Sequence, residues 1–378
     1  MKPVRTLFVA TTLAVGGAER ILQHLALGLD RRRFDVSVAT LREPGAIGEE
    51  IAAAGVPVRS ALTGRGKLDP LLIPRLQRWI ASERFRILYM LDHPHAIFHS
   101  ALASLGTSVR VRVMPVHTTG RWGGLPSVPR SIRFFMPLLD RVIAIAEAQR
   151  GYLIRAEGIP PGKICVIRNA IPAEGAEAAV LEGRRRALRE EFGVPAGARV
   201  VAILAVLRPE KNHELLLRAA ARVRRDIPDL VVLVIGDGPR RRSLEDEAAR
   251  LDLGGTVRFL GGQPNGRRLW PIADLAVLCS HPRVETLPLS LMEAMDAALP
   301  VVATDVGALS EIVESGKNGE LVPAGDEEGL ARAIGRILGD PARRLVYGRE
   351  SQRLIQEQFR LERMLQETED LLLRLMGG

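Results

Sequence analysis

The sequence predicts an α/β protein of two domains, each a parallel sheet covered by helices on both faces. Three observations carry this. Short apolar runs alternate with amphipathic stretches along the whole chain, the rhythm of βα units. The 378 residues are too many for one ordinary compact domain. The rhythm also breaks once, over residues 173–199, which are rich in Ala, Glu, Arg and Gly and carry no strand pattern.

In the first half, strands are expected at 4–10, 35–41, 58–61, 87–91, 110–117, 141–146 and 164–168, with helices between them. The helix at 18–30 is the plainest: Ile21, Leu22, Leu25 and Leu29 form one apolar stripe. A linker is placed at 171–176. The second half restarts with strands at 200–207, 230–235, 257–260, 275–279, 300–303 and 320–322. Helices are expected at 212–226, 243–253, 289–298 and 327–338, and two more, 342–358 and 361–376, close the chain. No short-period repeat is present; the halves share an architecture, not a sequence.

Apolar residues make up 47% and charged residues 26%, the balance of a globular chain, not a disordered one. The two cysteines, Cys165 and Cys279, lie far apart in apolar runs and read as small buried hydrophobes in a reducing compartment. The net charge of +9 is carried mainly by arginine, with clusters at residues 31–33, 184–186 and 240–242. These clusters admit two readings: a basic surface for an anionic partner, or solvated helix faces. They lack interleaved aromatics, which disfavours nucleic acid. No apolar run is long enough to cross a membrane as a helix. Lys2 and Arg5 ahead of residues 6–18 have the outline of a short signal peptide. The stretch reads better as a first strand followed by a glycine loop, so a cytoplasmic chain is expected.

Ligands of an open parallel sheet sit at the carboxyl ends of its strands, so the residues just after each strand come first. After the first strand, Gly16 and Gly17 open a helix, letting a backbone approach an anion; a plain tight turn is the other reading. The pattern is not G-x-G-x-x-G and no acid ends the second strand, which disfavours a dinucleotide dehydrogenase. After the fourth strand come Asp92, His93 and His95, then His99. His95 and His99 share a helix face, yet no further ligands complete a metal set, so polar lining of a substrate cleft is expected. His117 ends the fifth strand, where it either shares a proton with a ligand or is a hydrogen-bonded structural residue. In the second half, Arg208 and Lys211 follow the first strand, as a diphosphate clamp or as solvated cations. The most informative stretch is residues 285–295. Pro288 suits the first turn of a helix whose N–H groups, with Leu287 and Leu289, suit a phosphate. Glu285 lies just before that helix and Glu293 within it. Carboxylates so placed can hold a sugar and a ribose on either side of a diphosphate.

Together these residues resemble the retaining glycosyltransferases of family 4, which have the GT-B fold. The resemblance covers nearly the whole chain. It rests on VGGAER, VIAIAEA, ICVIRNAIP, RPEKN, VIGDGP, VRFLG, the E-x7-E pair from Glu285 to Glu293, and EAMDAALPVVATDVGALSEIV. It implies two Rossmann-like domains with parallel sheets facing across a cleft. Residues 1–172 would bind the acceptor, residues 173–358 the nucleotide-sugar donor, and the final helix, 359–378, would return to the first domain. It further implies that Glu293 holds the ribose, Glu285 contacts the transferred sugar, and Arg208 and Lys211 clamp the diphosphate. Gly16 and Gly17 would close on that diphosphate, and His117 would orient the reacting groups. The expected activity is retaining, metal-independent transfer of a hexose-type sugar from a UDP- or GDP-sugar to a glycan or lipid-linked acceptor. No cofactor beyond the co-substrate and no nucleic acid are expected. Two departures stand out. Relatives carry Gly-Arg-Leu with the arginine five residues before the lysine, where this chain has Val206; and Asp296 replaces a usual small residue. Alternatives are a nucleotide-sugar epimerase or phosphorylase-like enzyme on the same fold, or a non-catalytic binding protein. The arginine clusters also suit contact with an anionic membrane surface, where a lipid-linked acceptor would sit.

Overall fold

The computed structural model describes the chain except for residues 1, 61, 63–68, 70, 92, 122, 174, 176, 177, 283, 284 and 378. Expectations therefore reach residues outside the described set at the end of the third strand (Ala61), at Asp92, at the linker residues Glu174 and Ala176, and at Gly378 of the final helix. The chain divides into two compact units, Met1–Ala170 with Leu361–Gly378, and Ile171–Arg360.

The first unit runs β1 (Val4–Ala10), α1 (Gly17–Gly28), β2 (Phe34–Thr40), α2 (Gly45–Ala53), β3 (Val58–Arg59), α3 (Leu72–Ser82), β4 (Ile87–Met90), α4 (Pro94–Ala103), β5 (Val111–Val116), α5 (Arg130–Arg133), β6 (Arg141–Ala144), α6 (Glu147–Arg155) and β7 (Ile164–Val166). The seven strands are ordered β3-β2-β1-β4-β5-β6-β7, all parallel. The second unit runs α7 (Ala178–Glu191), β8 (Arg199–Leu204), α8 (His213–Asp226), β9 (Leu230–Ile235), α9 (Arg241–Arg250), β10 (Val257–Gly261), β11 (Leu275–Leu278), α10 (Leu289–Asp296), β12 (Val301–Thr304), β13 (Gly319–Val322), α11 (Glu327–Leu338) and α12 (Pro341–Gln358). Its six strands are ordered β10-β9-β8-β11-β12-β13, again all parallel. α13 (Leu361–Gly377) belongs to the first unit.

Covered on both faces, the central strands are apolar along most of their length. Every residue of β9, LVVLVI, is buried, and Leu7 to Ala10 of β1 are fully so. Each such Leu, Ile or Val contributes about 1.5–3 kcal/mol of transfer free energy. α13 is seated by its own chemistry. Gly28 of α1 leaves room for Leu365, whose Cδ1 would stand 2.6 Å from a Cβ there. Glu369, 6% exposed, accepts the Asp30 N–H at 2.8 Å and pairs with Arg33 at 2.5 Å.

Strand order sets where ligands go. In each sheet the order reverses beside the first strand, between β1 and β4 and between β8 and β11. There the following loops diverge and open a crevice at the carboxyl ends. Observed strands mostly stop short of their expected ends: β8 ends at Leu204 rather than 207 and β5 at Val116 rather than 117. Those last residues peel away from the ladder into the loops that carry the polar residues.

Candidate functional site

In the second unit, the loops after β8, β11 and β12 converge. Beyond β8 the chain passes Val206 and Arg208 into a 3-10 turn, Pro209–Lys211, and Asn212 takes a left-handed conformation (φ 49°) before α8. The His281 N–H donates to the Glu210 carbonyl at 2.9 Å, tying the loop after β11 to this turn. Glu285 sits at the junction, 5% exposed. Its Oε1 accepts the Ser280 hydroxyl at 2.6 Å and the Lys211 ammonium. Ser280 is held in turn by Thr304 of β12, whose hydroxyl donates to its carbonyl at 2.7 Å. The backbone of Glu285 is fixed from β12 as well. Gly307 has φ +62°, and a Cβ on it would lie 2.0 Å from the Glu285 carbonyl oxygen. Two of the expected residues, Lys211 and Glu285, are thus one ion pair. A buried pair is stable only when both charges keep their partners; removing one costs several kcal/mol.

Arg208 differs. Its side chain is 61% exposed, and Glu210 lies 3.9 Å away, too far for a hydrogen bond. Among the described residues no hydrogen bond fixes it beside Lys211. Val206, in the usual arginine position, is 38% exposed.

Pro288 caps α10 (φ −72°, ψ 122°) and the helix proper begins at Leu289, one residue after the proline. Leu287 and Leu289 are buried, at 3% and 8% exposure. The first N–H groups of α10 have no acceptor within the helix, which makes this end a partial positive charge close in sequence to Glu285. Glu293 lies one turn further along, half-buried. With Asp296 on the same helix face it lines a cavity of about 410 Å³ that also takes in Asn265, Arg267 and Arg184. Arg267 pairs with Asp296 at 3.0 Å and donates to the Pro172 carbonyl at 2.5 Å. Asp296, the departure from the family pattern, therefore has a defined partner in the wall of this cavity.

Two residues beyond Lys211 is His213, 1% exposed, and among the described residues neither ring nitrogen has a hydrogen-bond partner. Burial, and secondarily the Lys211 charge, lower its pKa from 6.5 to about 4. Sequence reasoning assigned no role to His213, Ser280 or Gly307. Only Ser280 carried a signal, its place directly after a strand.

In the first unit the two glycines differ. A Cβ on Gly16 would meet the Glu19 carboxylate at 2.3 Å, because Glu19 folds back over the loop. A Cβ on Gly17 would meet nothing within 4 Å. Glu19 Oε1 lies 3.4 Å from His93 Nε2, and His93 Nδ1 accepts the Thr11 N–H at 3.2 Å. His95 and His99 stack at 6.1 Å, and His99 Nδ1 lies 2.7 Å from the His95 carbonyl oxygen. Among the described residues no three His, Cys, Asp or Glu side chains gather as a metal ligand set. His117 follows β5 and is half-buried. Both cysteines are free thiols, and burial raises both pKa values.

The arginine clusters are partly committed to the protein. Arg33 pairs with Glu369, Arg185 with Asp274 at 2.6 Å, Arg240 with Glu214, and Arg241 with Glu245 at 2.8 Å. Among the described residues no helix is long and apolar enough to cross a membrane.

Comparison with known proteins gives this geometry a context. The family model for glycosyl transferases group 1 matches residues 184–354, and that for Glycosyltransferase Family 4 matches residues 15–175. An exopolysaccharide phosphotransferase of Streptomyces coelicolor is 29% identical over 253 residues, which is 67% of this chain but 25% of that protein, so the chain spans a quarter of that relative's length. A phosphatidyl-myo-inositol mannosyltransferase of Mycolicibacterium smegmatis is 28% identical over 349 residues, 90% of this chain and 86% of the relative. Among solved structures, Anabaena HepE in complex with UDP-glucose superposes with a TM-score of 0.83 at 24% identity, over 97% of this chain and 99% of that one. With both halves matched in order and two parallel-sheet units of this topology, the chain belongs to the group 1, family 4 glycosyltransferases and has the GT-B fold.

Proposed function

We propose that the protein is a retaining glycosyltransferase that moves a hexose-type sugar from a nucleotide diphosphate sugar to a glycan or lipid-linked acceptor. One observation carries the reading. A cation (Lys211), a buried acid (Glu285) and the amino end of α10 meet where the loops after β8 and β11 converge. Lys211 neutralises Glu285. An arriving diphosphate competes for the ammonium, and the released carboxylate then accepts a hydroxyl of the sugar. Lys211 and the first N–H groups of α10 offset the charge that grows on the leaving phosphate as the C1–O bond breaks. Glu293 takes the ribose hydroxyls from the rim of its cavity, and Gly17 admits the phosphates from the first unit's loop. His117 orients the reacting groups. Retention follows if the acceptor oxygen enters on the face the phosphate leaves and passes its proton to that phosphate. UDP-glucose bound to HepE and the lipid in the name of the mannosyltransferase support the donor and acceptor classes. A lipid-linked acceptor would bring the exposed arginines, Arg32 and Arg242 among them, to an anionic membrane.

The test is a thermal-shift panel of UDP-, GDP- and ADP-sugars on the protein and on Glu293→Ala. One nucleotide should raise the melting temperature of the wild type and lose most of that effect in the variant. An undiminished shift in Glu293→Ala removes Glu293 from the site. Retention at low salt on phosphatidylglycerol vesicles, and release by salt, tests the membrane contact; no retention refutes it.

A further inference from the structure

The loop that carries His117 is gripped by a side chain from outside it. The β5–β6 ladder stops at Val116 and Ala144, one residue before His117. Gln149, near the start of α6 and fully buried, continues that ladder with its carboxamide. Its Oε1 accepts the Ile145 N–H at 2.7 Å; its Nε2 donates to the Val116 carbonyl at 2.9 Å and to the Thr118 carbonyl at 3.0 Å. The carbonyls accept only and the N–H donates only, so the amide fits one way round. The two Nε2 bonds hold the carbonyl groups on either side of His117. A second brace lies behind. Ser127 Oγ donates to the Thr118 carbonyl at 2.7 Å and accepts the Gly120 N–H at 2.6 Å. The Ser127 and Val128 N–H groups are in turn held by Glu157, 2% exposed, at 2.6 and 2.9 Å.

We propose that Gln149 is a positioning residue for His117. Holding the carbonyls of residues 116 and 118 on one amide restricts the four torsions between them, φ and ψ at 117 and at 118, because the peptide units themselves are planar. The direction of the Cα–Cβ bond follows, and with it the reach of the imidazole. Gln149 touches no reacting atom; it acts through the histidine. The inference rests on the role given to His117 above, but its first test does not.

In protein labelled with ¹⁵N-histidine, the seven histidines give ring signals, and His117→Ala assigns one of them. In Gln149→Leu the His117 signal should shift or broaden at pH 7 while the other six keep their positions. An unmoved His117 signal overturns the proposal, whatever the variant's stability. Should Gln149→Leu fail to fold, Gln149→Met, closer in length and lacking both donors, gives the same reading. Turnover of UDP-glucose supplies the second arm. In Gln149→Leu kcat should fall roughly ten- to a hundredfold with KM changed less than about twofold, as expected when a reacting group is misaligned. Combined with His117→Ala, Gln149→Leu should cost nothing further; multiplying losses would mean that Gln149 does not act through His117. If His117→Ala retains full turnover, or the wild type does not use UDP-glucose, the functional reading of His117 or of the donor fails. The ring signal still decides the positioning.

Discussion

His213 makes the second unit sensitive to acid. In the folded protein it stays neutral down to about pH 4, because burial penalises the imidazolium and the Lys211 charge adds to that penalty. In the unfolded chain it takes up a proton below the ordinary value of 6.5. The folded pKa is depressed, so the unfolded state binds more protons between these values and stability falls with pH across that window. The stability is intact above 6.5, declines as pH falls, and is lost in full below 4. The difference of 6.5 and about 4 corresponds to roughly 3 kcal/mol at the limit and about 2 kcal/mol at pH 5. His213→Leu removes the titrating group and two unpartnered buried nitrogens, so it should cost little near pH 7.5. Urea unfolding at pH 7.5 and pH 5.0, followed by Trp270 fluorescence in a Trp79→Phe/Trp122→Phe background, reports the second unit, where Trp270 is 2% exposed. Between the two pH values the wild type should lose about 2 kcal/mol more than His213→Leu. Parallel losses in the two proteins would falsify the argument, since every other titrating group is common to both.

Three further outcomes follow from the site geometry. Gly17→Ala places its methyl in open space, so melting without ligand should change by less than about 1 kcal/mol, while the thermal shift by the active nucleotide sugar shrinks; Gly16→Ala must displace Glu19, and an unchanged ligand response in Gly17→Ala would remove that loop from the donor site. Gly307→Ala combines a left-handed backbone with a 2.0 Å approach to the Glu285 carbonyl, so it should destabilise by more than about 2 kcal/mol and depress turnover, and a normal melt with normal turnover would contradict the packing described. Glu369→Ala strips the Asp30 N–H of its acceptor and Arg33 of its partner; a loss of about 1–3 kcal/mol in unfolding followed at Trp79 is expected, and no loss would mean that α13 is held by its apolar face alone.

The fold was legible because parallel sheets buried on both faces leave a coarse signature. β9 is a continuous apolar run, β1 is one from Leu7 to Ala10, and the helices have striped faces, as in α1. Strand ends were less legible. Residues 205–207 are as apolar as β8, yet the strand ends at Leu204, where the chain beside it turns at Gly236. There the Leu207 N–H donates to the Asp237 carbonyl at 3.0 Å, and Gly236 allows the Ala205 carbonyl to approach. Periodicity carries no trace of such a contact.

The candidate site was legible where its residues sit in local sequence and illegible where their contacts depend on a neighbour. The spacing of Glu285 and Glu293 on either side of Pro288 puts one acid before a helix and the other one turn inside it, and this is local geometry. That Lys211 should sit on Glu285 is not local: the two are 74 positions apart and meet only because β8 and β11 are adjacent strands. The pair also changes what each residue can do. A lysine with a free ammonium would attract any phosphate, whereas one already bound to a buried acid yields only to a ligand that supplies a replacement for both charges' partners. On the proposed reading a nucleotide sugar would do this, with phosphate for the ammonium and a hydroxyl for the carboxylate. Inorganic diphosphate offers only the first. In the proposed site the ion pair would thus favour the intact donor, with Ser280 keeping its bond to Glu285 through the exchange.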